Sequence, residues 1–377
     1  MVTHELKVDP HEFLMRVLLL FLCVCSVSYA QTQVAKVTKI KLEDYGWQPV
    51  PDRRQFGHTY SHNLWIDHKG RVLVGFTVRE DHALATREHP GRSFHILRFT
   101  AEGKPDLSLV LPANDWYKNE FYLGPDDQIF ARANDALQLF SEGSQGQSGS
   151  WQPLASCPEN CFISQSFSRR TLLFGAKTPV SGRDRPTYTF LDASSSPPRV
   201  VRTCSQMAPY ATSITDKFVY RGNYDRDDDL TVRFSFCDVE HYEDFPQWGR
   251  GGGYVLNDET LLKVDPFGAR LLGPEGQVKF SLKPPKHDLM DYFKITTDER
   301  YDRFAFMVDA IRGEHPLLDI GGHLVARRVL VLDETGKQLA SIPTDIHYHM
   351  DTNFSMSPDG HRLAILDDGV LTIAELQ

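Results

Sequence analysis

Phe354-Ser355-Met356-Ser357-Pro358-Asp359-Gly360-His361-Arg362-Leu363-Ala364-Ile365-Leu366 reads as two short strands around a tight turn. Pro presets φ for the first turn position, Asp accepts from its own backbone, and Gly supplies a positive φ. The flanking residues are apolar and β-prone. The outline recurs upstream. Leu64-Trp65-Ile66 leads through Asp67-His68-Lys69-Gly70 to Arg71–Phe76, and Phe121-Tyr122-Leu123 leads through Gly124-Pro125-Asp126-Asp127 to Gln128–Ala131. Weaker copies follow at Phe162–Phe174, Ser213–Tyr220, Tyr254–Val264 and Phe293–Phe306.

The seven turns fall near residues 70, 127, 169, 217, 258, 302 and 360, roughly forty to sixty residues apart. That interval suits one four-stranded propeller blade. Second hairpins supply the outer strand pairs. Phe94–Phe99 turns through Thr100–Lys104 into Leu107–Leu111, and Val329–Leu332 turns through Asp333–Lys337 into Leu339–Ile342. The last repeat ends at Gln377 one strand short, and Val34–Leu42 is an extended segment that can supply it. The expected fold is therefore all-β: a β-propeller of seven four-stranded blades, closed by an N-terminal strand completing the last blade, with six and eight as the alternative counts. Closure of this kind also removes the exposed sheet edges that a strand-rich chain must manage.

The Ser357-Pro358-Asp359-Gly360-His361-Arg362-Leu363-Ala364 stretch resembles the repeats of TolB-type and WD-repeat-like (YVTN-like) β-propellers, in which Ser-Pro-Asp-Gly turns between two inner strands. The resemblance implies the architecture of residues 34–377 and no particular activity, because such rings host scaffolds and enzymes alike.

The N-terminus carries a different signal. Arg16 precedes an apolar run of ~14 residues, too short for a comfortable membrane span, and Ser28-Tyr29-Ala30 places small residues at a cleavage site. Residues 1–30 are expected to be an N-terminal extension and signal peptide, with Met15 as the true start. Residues 31–377 then form a single propeller domain, exported to the periplasm or the extracellular space. An uncleaved anchor is the alternative, and no later stretch suggests a membrane span.

Export leaves Cys157, Cys161, Cys204 and Cys237 in an oxidising compartment, where an even number favours disulfides. Of the three possible pairings, Cys157 with Cys161 and Cys204 with Cys237 is the expected one. A metal site at Cys157–Cys161 would need further ligands nearby.

Composition narrows the partners. With 41 Lys+Arg against 50 Asp+Glu, the net charge of -9 offers no basic stripe for nucleic acid. Hydrophobic residues at 41% are enough for a large core. No nucleotide-binding glycine fingerprint is complete, since Tyr254 stands where Gly249-Arg250-Gly251-Gly252-Gly253 would need another glycine. Gly146-Gln147-Ser148-Gly149-Ser150 fails as a nucleophile elbow at its last position. No P-loop, HExxH or CxxCH occurs, and no cofactor is expected.

Loops carry the candidate site. His347, His349 and Asp351 share one face of an extended segment, a set suited to a divalent metal or to proton transfer, or simply to a polar inter-blade loop. Trp248 and Arg250 lie on a glycine-rich loop and are residue types common at binding anchors, although a Trp packed against a neighbouring blade is the equal alternative. Asp225–Asp229 lacks the spacing of an EF-hand loop and reads as a solvated tip. His58 and His62 would align only on a helix, which their surroundings do not support. The expected function is a monomeric binding or scaffold module for a protein, small molecule or carbohydrate. The alternative is a propeller enzyme of lyase, glycosidase or dehydrogenase type with its site at the central channel.

Overall fold

The computed structural model describes residues 34–47, 59–79, 92–113, 119–133, 136–142, 149–156, 161–180, 183–204, 211–221, 230–238, 240–249, 253–284, 288–312, 323–344 and 352–377. Within them the strands form seven antiparallel four-stranded sheets. Six sheets use consecutive strands. Blade 1 is β2 (Thr59–Ile66), β3 (Val72–Arg79), β4 (Arg92–Phe99) and β5 (Pro105–Pro112). Blades 2 to 6 follow as β6–β9 (120–156), β10–β13 (162–204), β14–β17 (211–244), β18–β21 (254–282) and β22–β25 (288–344). The seventh consists of β26 (Asn353–Met356), β27 (Arg362–Asp367) and β28 (Val370–Leu376), with β1 (Val34–Lys41) as its fourth strand. Val37 faces Ala374 and Ile40 faces Leu371 across the closing pair, so the first and last described strands share one sheet. The chain is a seven-bladed β-propeller.

Burial follows the radius. The second strand of a blade lies between neighbouring sheets, so both faces are covered and the sequence runs apolar: Val72–Val78 of β3 is buried throughout. The outermost strand has one covered face at most. In β1 and β5 (ieeeieBe and eeieieBe) only isolated residues are buried, and in β13 (Arg199–Cys204) none is.

The described core separates into seven apolar clusters, and each spans one blade–blade interface. Blades 7 and 1 share Ile66, Phe76, Leu366 and Leu371, whereas blades 5 and 6 share Leu262, Phe280, Phe304 and Phe306. Each blade therefore folds against its two neighbours, which is how a chain this long avoids needing one oversized core.

Cys204, at the end of the outermost strand of blade 3, is disulfide-bonded to Cys237 of blade 4, with Cα atoms 5.4 Å apart. Cys161 is also disulfide-bonded, and Cys157 lies outside the described residues.

Candidate functional site

The first strand of each blade lines the axis. β2 touches β6 (Glu120–Leu123) and β26, while β14 (Ala211–Ile214) touches β10 (Phe162–Gln165) and β18 (Tyr254–Val255). The turns leaving these first strands gather at one end of the ring. They share one backbone design, in which the first turn residue accepts from the fourth: Gly70 N donates to Asp67 O, Asp127 N to Gly124 O, Arg169 N to Ser166 O, and Gly360 N to Ser357 O. The fourth residue takes positive φ, at 72° for Gly70 and 74° for Gly360.

Polar bonds tie each turn to the next around the circle. Arg362 Nη1 donates to Gly70 O (3.3 Å), joining blade 7 to blade 1. The His68 backbone N–H donates to Asp127 Oδ1 (3.0 Å), and Gln165 Nε2 donates to Leu123 O (2.6 Å). The Ser166 and Ser168 hydroxyls donate to Asp216 Oδ1 at 2.9 and 2.6 Å. Asp216 N donates to Asn257 Oδ1 (3.1 Å), Asn257 N to Tyr301 Oη (3.4 Å), and Glu299 N to Pro358 O (3.0 Å). The circle is complete.

Two side chains leave the circle and reach across the axis. His68 places Nδ1 2.8 Å from Asp127 and Nε2 3.0 Å from Glu299, linking blades 1, 2 and 6. Partial burial lowers its proton affinity, but the Asp127 hydrogen bond and the charges of Glu299 and Asp127 more than offset that, and the net shift is upward. Only the doubly protonated ring can donate to both carboxylates. Arg169 reaches from blade 3 to blade 1, where Nη2 donates to Ile66 O (3.0 Å) and the guanidinium lies 5.3 Å from the Trp65 ring centroid. Burial lowers the proton affinity of Arg169, offset in part by the charges of Glu299, Asp127 and Asp67.

Beneath these residues lies a cavity of about 130 Å³. Its walls come from blades 1, 3, 6 and 7, including Trp65, Gln165, Arg169, Ile295, Glu299 and Met356. It combines aromatic and aliphatic surface with a few convergent polar groups, the usual make-up of a small-ligand site.

The residues singled out from sequence are placed differently. Trp248 is 2% exposed, not the exposed anchor expected of a glycine-rich loop. The turn Pro246–Trp248 stacks its indole on Phe245 (centroids 4.3 Å apart), and Nε1 donates to Gly273 O of blade 5 (2.9 Å). It is the packed tryptophan of the alternative reading. Arg250, His347, His349 and Asp351 lie outside the described residues, as do His58 and Asp225–Asp229. His62 falls within β2, in extended chain. His95 stacks on Phe76 and meets the Ser93 hydroxyl at 2.8 Å. Among the described residues, no three His, Cys, Asp or Glu side chains gather as metal ligands. No helix there is long and apolar enough to cross a membrane.

Sequence reasoning missed His68, Gln165, Arg169 and Glu299. A signal for two of them appears when the repeats are aligned on their turns. The positive-φ position held by Gly70 and Gly360 carries Arg169 in blade 3 at φ 63°. Asp127, Glu259 and Tyr301 hold the same position at φ 61°, so the left-handed turn position carries side chains in four blades and Arg169 is the cation among them. One residue before each turn stand Ile66, Leu123, Gln165, Ile214, Val255, Thr297 and Met356, a largely apolar column that Gln165 and Thr297 interrupt.

No family model matches the chain, and no curated protein matches it either. Among solved structures, the chain aligns over 100% of its length with 100% of a chain from the crystal structure of a mitotic checkpoint complex, at 9% identity and a TM-score of 0.48. The fold rests on the strand pairing, to which that likeness adds nothing.

Proposed function

We propose that the protein is an exported, monomeric binding propeller of the TolB-type and WD-repeat-like class, holding a small ligand or a projecting group of a partner at the ring axis. One observation carries this reading: the first strands and turns of four blades converge on a single cavity with aromatic walls and buried polar groups. A rigid ring supplies preorganisation, because the polar bonds from turn to turn fix the lining without the ligand. The Cys204–Cys237 disulfide supports export, since such bonds persist in oxidising compartments. The Ser357–Gly360 turn supports the class.

The test is a thermal-shift screen of the full chain against small metabolites, oligosaccharides and peptides, each hit repeated on Trp65→Ala. Hits that raise Tm, depend on Trp65 and are recovered chemically unchanged support the reading; hits indifferent to Trp65 overturn it. Sequencing the exported protein from its N-terminus should start at or near Gln31.

A second reading, a propeller enzyme of lyase, glycosidase or dehydrogenase type, is favoured by His68 held between Asp127 and Glu299 beside the cavity, an arrangement able to give and take a proton. Conversion of a hit, lost in His68→Gln, would select it.

A further inference from the structure

Two buried polar atoms at the axis have no hydrogen-bond partner among the described residues: Arg169 Nη1 and Gln165 Oε1. Both residues line the axial cavity. Arg169 is 5% exposed and makes no ion pair among the described residues, its bonded contact being the neutral Ile66 carbonyl. A buried guanidinium without a directly paired anion is costly, and the charges of Glu299, Asp127 and Asp67 offset that burial only in part, so an anion placed against Nη1 would complete the site. The Gln165 amide is oriented by its neighbours. Nε2 donates to Leu123 O at 2.6 Å and to Arg169 O at 3.3 Å, both carbonyl acceptors, which fixes the amide nitrogen there and leaves Oε1 as an acceptor without a donor.

The two orphans define a ligand by complement: an acceptor, preferably anionic, for Nη1, and a donor for Oε1. We propose that the cavity binds a small carboxylic acid that also bears a hydroxyl or amine. The inference rests on the binding reading above and gives it a ligand class. Size fixes the scale. A dry cavity of roughly 150 Å³ admits benzene, with six heavy atoms. A cavity of about 130 Å³ therefore suits a lactate- or alanine-sized molecule and excludes a hexose. Ile295 and Met356 offer apolar wall to a short side chain, and the Glu299 carboxylate favours an ammonium over a hydroxyl.

The experiment is titration calorimetry of the full chain with L-lactate and L-alanine, alongside propionate, which lacks the donor, and lactamide, which lacks the charge. At least one of the first pair is expected to bind. Propionate should be weaker by about fivefold, the worth of one neutral hydrogen bond, and lactamide by about tenfold, for a charge-assisted one. Arg169→Lys keeps the charge but loses the fork and should weaken binding about tenfold. Gln165→Met removes the acceptor while keeping the bulk and should weaken both lactate and alanine about fivefold, the worth of one hydrogen bond, while leaving propionate unchanged. Circular dichroism of both variants checks that the propeller is intact. Absence of heat from both lactate and alanine overturns the proposal, as does a crystal grown in either that holds only ordered water between Arg169 and Gln165. If the broader screen still returns Trp65-dependent hits of another chemistry, this ligand class falls and the binding reading stands.

Discussion

The interface between blades 7 and 1 and the interface between blades 3 and 4 solve one packing problem by different means. Where the first and last described strands meet, fifteen buried apolar residues from β1, the turn after it, β2–β4, β27 and β28 form one cluster among the described residues. Leu42 N donates to Gly369 O, and Trp47 stands against Phe76 with centroids 5.4 Å apart. Between blades 3 and 4 the corresponding cluster has four among the described residues: Leu173, Phe190, Ile214 and Val219. There the Phe190–Phe236 stack (4.0 Å), the Asp216 hydroxyl cluster and the Cys204–Cys237 bond make up the contact. A closed ring is as strong as its weakest junction, because opening any one frees two blades from a neighbour. Apolar burial secures the junction closed by the first and last described strands, and a covalent bond secures the one with the smallest apolar cluster among the described residues.

The comparison can be broken experimentally. Phe76→Ala removes a fully buried ring from the closing cluster and should cost about 3–5 kcal/mol in denaturant unfolding; a loss below about 1 kcal/mol would mean that closure does not rest on that cluster. The double change Cys204→Ser with Cys237→Ser opens a link of sequence separation 33 and should cost about 2–4 kcal/mol. It sharpens the contrast further through hydrogen exchange. Amide protection in β14 and β15 (Phe218–Arg221) should fall before protection in β27, because the unstapled ring opens at the thin interface. An even fall across all blades would refute the idea of a weakest junction.

The smallest effect concerns the axis. The folded-state pKa of His68 is raised above the ordinary 6.5, so its two ion pairs contribute fully below that value and are lost as pH rises through the folded pKa. His68→Gln should therefore cost stability near about pH 5.5 and almost none near about pH 8.5, by less than about 1 kcal/mol because the imidazole is partly exposed. A larger penalty at the alkaline end would reverse the sign and remove the assigned charge state.

Much of the fold was legible because a propeller is written locally. Each first-to-second-strand turn lies where its sequence placed it: Asp67–Gly70, Gly124–Asp127 and Ser357–Gly360 carry turn chemistry within four residues. The missing strand at Val34–Leu42 was legible from the deficit in the last repeat. Trp248 was misread because flanking glycines suggest exposure, while the partners that bury it are Phe245 and, from the next blade, Gly273. The axial site was illegible for a related reason. Arg169 meets Ile66 across 103 residues of sequence, and His68 meets Glu299 from the other side of the ring. No spacing rule connects positions that only ring closure brings together.

The sequence by itself determined the repeated hairpins, their turns and the segment that completes the last sheet, because each depends on residues within one hairpin or one repeat, while the count of seven over six or eight came from the strand pairing. Only the tertiary structure decided which turn residues face one another across the axis, which junction is thin, and which polar atoms are buried there without a partner. Those depend on where seven separately specified sheets come to lie once their faces are buried against each other, a condition that no single repeat encodes.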